Sequence, residues 1–176
     1  MIFGETAIAG AFVIDVERSE DERGFFARTF CEDEMRAHGL NARVVQCNVS
    51  WNRKRGTLRG MHYQAAPHEE TKIVRCPRGA IWDVIADLRP DSKTYRHWIA
   101  IELNAGNARA LYIPHGVAHG FITLTDDAEV HYLMGSAFVQ EASRGIAWDD
   151  PALEIRWPME PVVISERDRG YARLPL

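Results

Sequence analysis

The sequence predicts an all-β protein built as a sandwich or barrel. Short strand-like runs, rich in β-branched and aromatic residues, follow one another along the chain. Gly, Pro, Asn or Asp separates the runs, and no long helical patterns alternate with them, as they would in a parallel sheet. In chain order the runs are AFVIDVER, RVVQCNVSWN, KIVRCP, AIWDVIADL, HWIAIEL, ALYIP, GFITL and EVHYLMG.

Helical signals are few and short. The segment EDEMRAHG follows Cys31 and predicts one helix, with a glycine stop at Gly39. A second, weaker helical turn is expected near the end of the chain, in SERDRG. Both are expected to lie at the periphery of the β-structure.

Length and composition indicate a single globular domain over residues 1–176. The chain has 176 residues, of which 46% are hydrophobic and 26% charged, and domains commonly contain about 100–200 residues. It has no internal repeats, low-complexity tracts or linker-like segments. We therefore expect no second domain.

Charge and the N-terminal segment exclude several classes of partner. The formal net charge of −4 argues against nonspecific nucleic-acid binding, which requires a clustered basic face, although a local cationic pocket remains compatible with it. The segment MIFGETAIAGAFVIDVERSE has no basic start before its apolar stretch, so it is a poor secretory signal. No run approaches the ~18 apolar residues of a membrane span. We expect a cytoplasmic protein that binds neither nucleic acid nor membrane.

The three cysteines, Cys31, Cys47 and Cys76, are odd in number and have no metal-type spacing. They are expected to be reduced thiols. Cys47 and Cys76 lie in strand-like runs and are expected to be buried packing residues.

The run RVVQCNVSWN has two faces of different character when its residues are sorted with period two. A strand of this kind usually turns its polar face to solvent, but amides and a hydroxyl without charges fit the wall of a wet pocket equally well. The polar face carries Gln46, Asn48 and Ser50, and the other carries Cys47, Val49 and Trp51.

The segment GTLRGMHYQ contains the most informative histidine. Glycine weakens a strand unless another group must approach the backbone closely, and two glycines precede His62 here. His62 could titrate near neutral pH and act as a base, although a lone histidine is more often structural. Tyr132, in EVHYLMG, also shares its face with apolar neighbours, as a pocket-lining residue would.

The segment PHGVAHGF resembles one of the two motifs of the cupins, which bind a metal through clustered histidines and a carboxylate. In the other motif, HYQAAPHEETK, Gln64 occupies the place of the second histidine. His68, Glu69 and Glu70 follow in a loop-like piece and are expected to be solvated. The metal set is therefore incomplete, and a barrel without metal is favoured.

Cations recur at strand-like positions, namely Arg23, Arg59, Lys72 and Arg75. They fit either solvated outward faces or a phosphate site, because guanidinium groups pair bidentately with phosphoryl oxygens. The chain has neither a Gly-x-Gly-x-x-Gly fingerprint nor a P-loop, so no dinucleotide or nucleoside-triphosphate cradle is expected.

Over nearly its whole length the chain resembles the dTDP-4-dehydrorhamnose 3,5-epimerases. Several independent motifs match in the same order and spacing, which makes the resemblance specific. They are DERGFFARTF, QCNVSWNRKRGTLRGMHYQ, KIVRCPRGAIWDVIADLRPDSKTY, IPHGVAHGF, AEVHYLMG, GIAWDDPALEIRWP and ISERD.

The resemblance implies a cupin-type antiparallel β-barrel (jelly roll) with a few short peripheral helices, a homodimer with strand exchange, and no metal or redox cofactor. It implies His62 as the base that removes a proton beside a C4 ketone, oriented by Asp168. Tyr132 would deliver a proton from the opposite face, and Lys72 would stabilise the enolate oxygen. The implied substrate site consists of Arg23, Phe26, Gln46, Asn48, Arg59, Lys72, His119, Phe138 and Arg167.

Two positions depart from the family. Arg28 and Ser143 stand where the family usually has glutamates of the substrate site, whereas the catalytic set is intact. The departures concern the nucleotide base or the sugar more than the reaction. Open alternatives are a mono-epimerase that inverts C3 or C5 alone, a non-catalytic sugar-nucleotide-binding barrel and a metal-dependent cupin.

Overall fold

Two β-sheets and a separate hairpin make up most of the computed structural model, which describes residues 1–175. We number the strands β1 to β14 in chain order. They are Ile2–Glu5, Phe12–Asp15, Ser19–Asp21, Gly24–Phe26, Gln46–Asn52, Thr57–Gln64, Lys72–Arg78, Ala80–Asp87, Trp98–Asn104, Ala110–Ile113, Val117–Thr123, Ala128–Met134, Ser143–Gly145 and Val163–Ile164. The helices are α1 (Glu32–Ala37) and α2 (Glu166–Arg169), with a 3₁₀ turn at Gln140–Ala142.

The first sheet has the strand order β1-β2-β10-β7-β12-β5, so that β5 is an edge strand. The second has the order β13-β6-β11-β8-β9, with β14 added in parallel to β6. All other pairings are antiparallel, and β3 and β4 form the hairpin. The antiparallel all-β prediction is confirmed.

The main hydrophobic core lies between the two sheets. Val74 and Leu111 come from the first sheet and Ile85 and Phe121 from the second, and all four are buried. Each such side chain contributes about 1.5–3 kcal/mol through burial. The same packing fixes the separation of the two sheets.

Helix α1 covers part of the outer face of the first sheet, where Met35 packs with Ile73 and Tyr112. The helix ends before Gly39, whose φ of +70° suits a glycine better than other residues. The two predicted helical segments are thus confirmed. Neither helix within residues 1–175 has the length and apolar character needed to cross a bilayer.

The eight runs singled out in the sequence each contain a strand, but one prediction about their faces is wrong. Cys76 is buried as expected, whereas Cys47 is exposed. The cause is the orientation of β5, which turns its polar face toward the interior. Val49 and Trp51 therefore lie on the outside, with 62% and 48% of their surface exposed.

Candidate active site

A cavity of about 310 Å³ lies between the sheets. Five strands line it: β5, β7 and β12 from the first sheet, and β6 and β11 from the second. It brings together six residues that the sequence predicts for one site: Asn48, Arg59, His62, Lys72, His119 and Tyr132. Ser50 and Phe121 complete much of the remaining wall.

Two glycines allow β6 and β11 to approach closely at the floor of this cavity. A Cβ atom on Gly60 would lie 2.5 Å from the Cα of Gly120, and φ at Gly60 is +131°. A Cβ on Gly120 would lie 2.7 Å from the Sδ of Met61. The predicted reason for glycine in this strand, a close backbone approach, is confirmed. As a result His62 and His119 are cross-strand partners.

His62 forms a dyad with Asp168. Its Nε2 lies 2.7 Å from Oδ1 of Asp168, whose residue surface is only 4% exposed. The backbone N–H of Gly60 donates to the other carboxylate oxygen at 3.2 Å, and Ser165 caps α2 by accepting from the N–H of Asp168. Burial opposes ionisation, but the bonds from His62 and Gly60 outweigh it and hold the pKa of Asp168 below its usual value.

Tyr132 enters the cavity from the opposite sheet. A hydrogen bond of 3.2 Å joins its hydroxyl to Oγ of Ser50, and its ring packs edge-on against His119. Burial raises the pKa of the Tyr132 phenol well above its ordinary value, although Ser50 and Arg59 act in the other direction. The phenol is therefore protonated at neutral pH, as a proton donor must be.

Lys72 supplies a cation to the same wall. Its Nζ lies 2.9 Å from Oε1 of Glu70, and it donates to the backbone oxygen of His62 at 3.3 Å. The expectation that Glu70 is solvated is wrong, because only 8% of its side chain is exposed. Its pairing with Lys72 compensates the cost of removing its charge from water.

His119 belongs to a second histidine–carboxylate pair. Its Nε2 lies 2.7 Å from Oδ1 of Asp83, and both side chains are buried. Arg59 is held by a different contact, since its Nε donates to the side-chain oxygen of Asn52 at 2.7 Å. These bonds fix two predicted substrate-site residues in position before any ligand arrives.

Gln46 and Phe138 contact each other and are not among the cavity-lining residues in the part of the chain that the structure describes. The side-chain oxygen of Gln46 accepts from the N–H of Phe138 at 3.3 Å, and its amide donates to Asn48 at 3.0 Å. Gln64 anchors this loop: it donates to the oxygens of His68 and Ala137 and accepts from the N–H of Val139 at 2.7 Å. Phe138 itself is 55% exposed.

Arg23 and Phe26 are not brought to this cavity. They lie on the β3–β4 hairpin, where Phe26 is 79% exposed and the Arg23 guanidinium pairs with Asp21 at 2.5 Å. Neither residue belongs to the cavity wall as residues 1–175 form it. Within one chain, the prediction that they share a site with His62 is therefore not met.

The two departures from the family have partners within the chain. Ser143 accepts a hydrogen bond of 2.6 Å from Arg167, whose guanidinium lies over the ring of Tyr171. That ring in turn packs edge-on against His62. Arg28 pairs with Glu34 at 2.6 Å.

Sequence reasoning missed Glu70, Asp83 and Tyr171 as parts of the site. A signal existed for Asp83, because a carboxylate inside an apolar run such as AIWDVIADL, which carries Asp83 and Asp87, needs a buried partner. Tyr171 had no such signal. Its ring packs on Gly145, which pairs with His62 in the sheet.

A metal site of the cupin kind requires clustered ligands. In the part of the chain that the structure describes, no three His, Cys, Asp or Glu side chains converge on one point. Gln64 is instead fully engaged in holding the loop of Phe138. Independence of metal remains a prediction, tested below.

Comparison with known proteins agrees with this geometry. A family model described as dTDP-4-dehydrorhamnose 3,5-epimerase matches residues 5–175. The dTDP-4-dehydrorhamnose 3,5-epimerase of Methanothermobacter thermautotrophicus is 43% identical over 175 residues, which cover 98% of this chain and 94% of that protein.

Solved structures agree as well. The Bacillus anthracis dTDP-4-dehydrorhamnose 3,5-epimerase with TDP and PPi bound is 36% identical, with a TM-score of 0.95 and coverage of 98% of this chain and 99% of that one. The Legionella pneumophila dTDP-6-deoxy-D-glucose-3,5-epimerase in complex with dTDP-4-keto-L-rhamnose is 33% identical, with a TM-score of 0.92 and coverage of 98% of this chain and 92% of that one.

A structure of different specificity is also similar. ChmJ, a 3'-monoepimerase from Streptomyces bikiniensis solved with dTDP-quinovose, is 33% identical with a TM-score of 0.87, covering 96% of this chain and 85% of that one. The likeness of all these folds confirms the cupin-type jelly roll. Sequence and structure agree over nearly the full length, and the chain belongs to the dTDP-4-dehydrorhamnose 3,5-epimerase family.

Proposed function

We propose that this enzyme, acting as one cytoplasmic domain, inverts C3 and C5 of dTDP-4-dehydro-6-deoxyglucose to give dTDP-4-dehydrorhamnose. One observation carries the proposal. A histidine–carboxylate dyad and a protonated tyrosine enter one cavity from opposite sheets, and a lysine ammonium lies beside them. Epimerisation beside a ketone needs a base, a proton donor on the opposite face and a group that stabilises the enolate oxygen, and these side chains can fill the three roles.

The first step is removal of the proton beside the C4 ketone. A carboxylate can only accept hydrogen bonds, so the contact with Asp168 places the ring proton of neutral His62 on Nε2. Nδ1 then carries the lone pair that acts as base. Asp168 also stabilises the imidazolium that forms, and this favours removal of the proton from the sugar carbon.

The electrons left by the proton delocalise onto the ketone oxygen as an enolate. The Lys72 ammonium lies in the cavity wall with only 7% of its side chain exposed, so its charge is little screened by water. We propose that it donates to the enolate oxygen. Fixed donors aimed at developing charge are commonly the largest contribution to such catalysis.

Inversion requires that the new proton arrive on the other face of the ring. His62 alone would return the proton to the face from which it came. Tyr132 belongs to β12 of the first sheet and His62 to β6 of the second, so a sugar between the sheets is met from both sides. The same pair can serve C3 and C5 in turn.

We propose further that the active form is a homodimer in which the β3–β4 hairpin reaches the partner's cavity. Phe26 and the side chain of Arg23 are 79% and 85% exposed, so both are available for contacts outside their own chain. The outer face of β5 also exposes Val49 and Trp51, an apolar surface of the kind that subunit interfaces cover. Sedimentation analysis of wild type and Phe26→Asp tests this, and a fully active monomer would contradict it.

Deuterium incorporation tests the proposed reaction. The enzyme is incubated in D₂O with 4-keto-6-deoxyglucose linked to dTDP, UDP, CDP or GDP, and the products are analysed by NMR. We expect deuterium at both C3 and C5 of the dTDP sugar, with both centres inverted. No incorporation from any of the four would contradict the proposal, and would favour a binding protein instead.

A mono-epimerase is the second candidate, because ChmJ, a 3'-monoepimerase, has the same fold at 33% identity. The same catalytic groups serve one centre or two. The NMR experiment separates the two cases: deuterium at C3 alone, with C5 unchanged after long incubation, would identify a C3 mono-epimerase.

A further inference from the structure

A buried ion pair stands in the cavity wall beside the proposed catalytic groups. Nζ of Lys72 and Oε1 of Glu70 are 2.9 Å apart, and the two side chains are 7% and 8% exposed. Removing two charges from water is expensive, and such pairs often stabilise a fold less than apolar residues would. Stability alone therefore gives little reason for the pair.

The hydrogen bonds of Lys72 indicate what the pair does. An ammonium has three N–H donors. One is directed to Glu70 and one to the backbone oxygen of His62, so two of the three are held by the protein within residues 1–175. One donor remains, on a side chain whose residue lines the cavity.

The segment that carries Glu70 is fixed independently of its carboxylate. The hydroxyl of Ser136 donates to the backbone oxygen of Glu69 at 2.9 Å. The N–H of Gly135 donates to the backbone oxygen of Thr71 at 2.8 Å. The backbone on both sides of Glu70 is thus tied to the end of β12, and a change at the Glu70 side chain should leave it in place.

We propose that Glu70 is a positioning residue for the reaction, which acts through Lys72. Its carboxylate and the backbone oxygen of His62 hold two N–H groups of the lysine ammonium, and this leaves the third N–H for the ketone oxygen of the substrate. The proposal rests on the proposed epimerase function. It assigns to Glu70 a role in enolate formation and none in binding the nucleotide.

The test compares Glu70→Gln with a matched control, Glu69→Gln, which removes the neighbouring carboxylate of the same loop. Glutamine can still accept a hydrogen bond from Lys72 but carries no charge. Losing a donor that touches the developing charge costs about 10²–10³-fold, so a group acting through that donor should cost on the order of tenfold in kcat. KM and the Kd for TDP should not change in Glu70→Gln, and Glu69→Gln should behave as wild type.

The rate of deuterium exchange adds a second readout. Because enolate formation precedes protonation, exchange at C3 and C5 should fall in Glu70→Gln by the same factor as product formation. Introduced into Lys72→Met, the same substitution should cause no further loss, since the group through which Glu70 acts is gone. An equal loss with Lys72 absent, or a lowered Tm with unchanged kcat, would show that Glu70 is only structural.

The controls separate this inference from the proposed function. If wild type and Glu69→Gln both exchange deuterium and Glu70→Gln equals them, the role of Glu70 is refuted and the epimerase function stands. If neither wild type nor Glu69→Gln incorporates deuterium into any 4-keto sugar nucleotide, the epimerase function and the role of Glu70 are both refuted.

Discussion

Nε2 of His62 lies 2.7 Å from Oδ1 of Asp168, and the second oxygen of this carboxylate accepts from the N–H of Gly60, two residues before His62 in the same strand. One buried carboxylate thus binds both the imidazole and the strand that carries it. This arrangement fixes the orientation of the ring as well as its tautomer. The proposed base is therefore prepared before substrate binds.

The first prediction concerns this base. His62→Ala should abolish exchange of the sugar protons with solvent while leaving nucleotide-sugar binding largely intact, because a positioned general base contributes about 10²–10⁴-fold. Deuterium incorporation followed by mass spectrometry gives the rate, and calorimetry with TDP gives the affinity. Folded His62→Ala protein with near-normal exchange would show that another group removes the proton.

Asp168→Asn should reduce activity, and it should remove the part of the unfolding free energy that depends on ionisation of Asp168. The pKa of Asp168 is lowered in the folded state, so its ionisation stabilises the protein fully above the unfolded value of about 3.9. That contribution is lost as pH falls through the lower folded value. Asparagine cannot titrate, so the unfolding free energy of Asp168→Asn should depend less steeply on pH than that of wild type below about pH 4.

Urea unfolding at a series of acidic pH values measures this slope, with Asp149→Asn as the control. Asp149 is exposed and pairs with Arg173 at 3.0 Å. We expect kcat of Asp168→Asn to fall on the order of 10²-fold or more. Unchanged turnover would separate Asp168 from the reaction.

Arg28 is expected not to select the nucleotide base. A family glutamate can accept hydrogen bonds where an arginine can only donate them, so a base-facing Arg28 would favour a nucleotide other than dTDP. Here its guanidinium pairs with Glu34 of the same chain, which also binds the N-terminal ammonium at 2.7 Å. TDP should bind more tightly than UDP, CDP or GDP, and Arg28→Glu should keep that order.

Competition binding with the four diphosphates measures this order. Arg36→Glu, which replaces another exposed arginine paired within α1, serves as control. A wild type that prefers CDP or GDP, with TDP preferred after Arg28→Glu but not after Arg36→Glu, would show that Arg28 selects the base.

Turnover should not depend on a divalent metal. Gln64 occupies a ligand position of the metal-binding cupins, and its amide group is hydrogen-bonded to the backbone on both sides of Phe138. Dialysis against a strong chelator should leave kcat unchanged. Activity that is lost on chelation and restored by one specific metal would contradict this prediction.

The sequence was sufficient for eight of the strands and for most of the residues that line the cavity. Period-two faces and turn residues are local properties, so β5, β7 and β12 could be predicted from them. The roles implied for His62, Lys72 and Tyr132 came from the family resemblance, and the structure places the three in one cavity. Their roles remain to be tested.

Burial of charged groups could not be predicted in the same way. Glu70 lies in a loop-like segment, and its carboxylate is buried because the Lys72 ammonium is 2.9 Å away. Cys47 is exposed because β5 is an edge strand whose polar face lines the cavity. Both depend on which elements meet in space, which a single strand pattern does not contain.

The central claim is that acid and base meet the sugar from opposite sheets. Deuterium exchange into the sugar by the Tyr132→Phe variant tests this claim most directly. The variant is incubated in D₂O with the dTDP-linked 4-keto sugar, and deuterium incorporation and configuration are followed together by NMR. Because His62 and Lys72 remain, we expect deuterium to enter with retained configuration while inverted product falls by about 10²-fold or more. Inverted product formed at the wild-type rate would contradict the account and leave Tyr132 as part of the pocket wall.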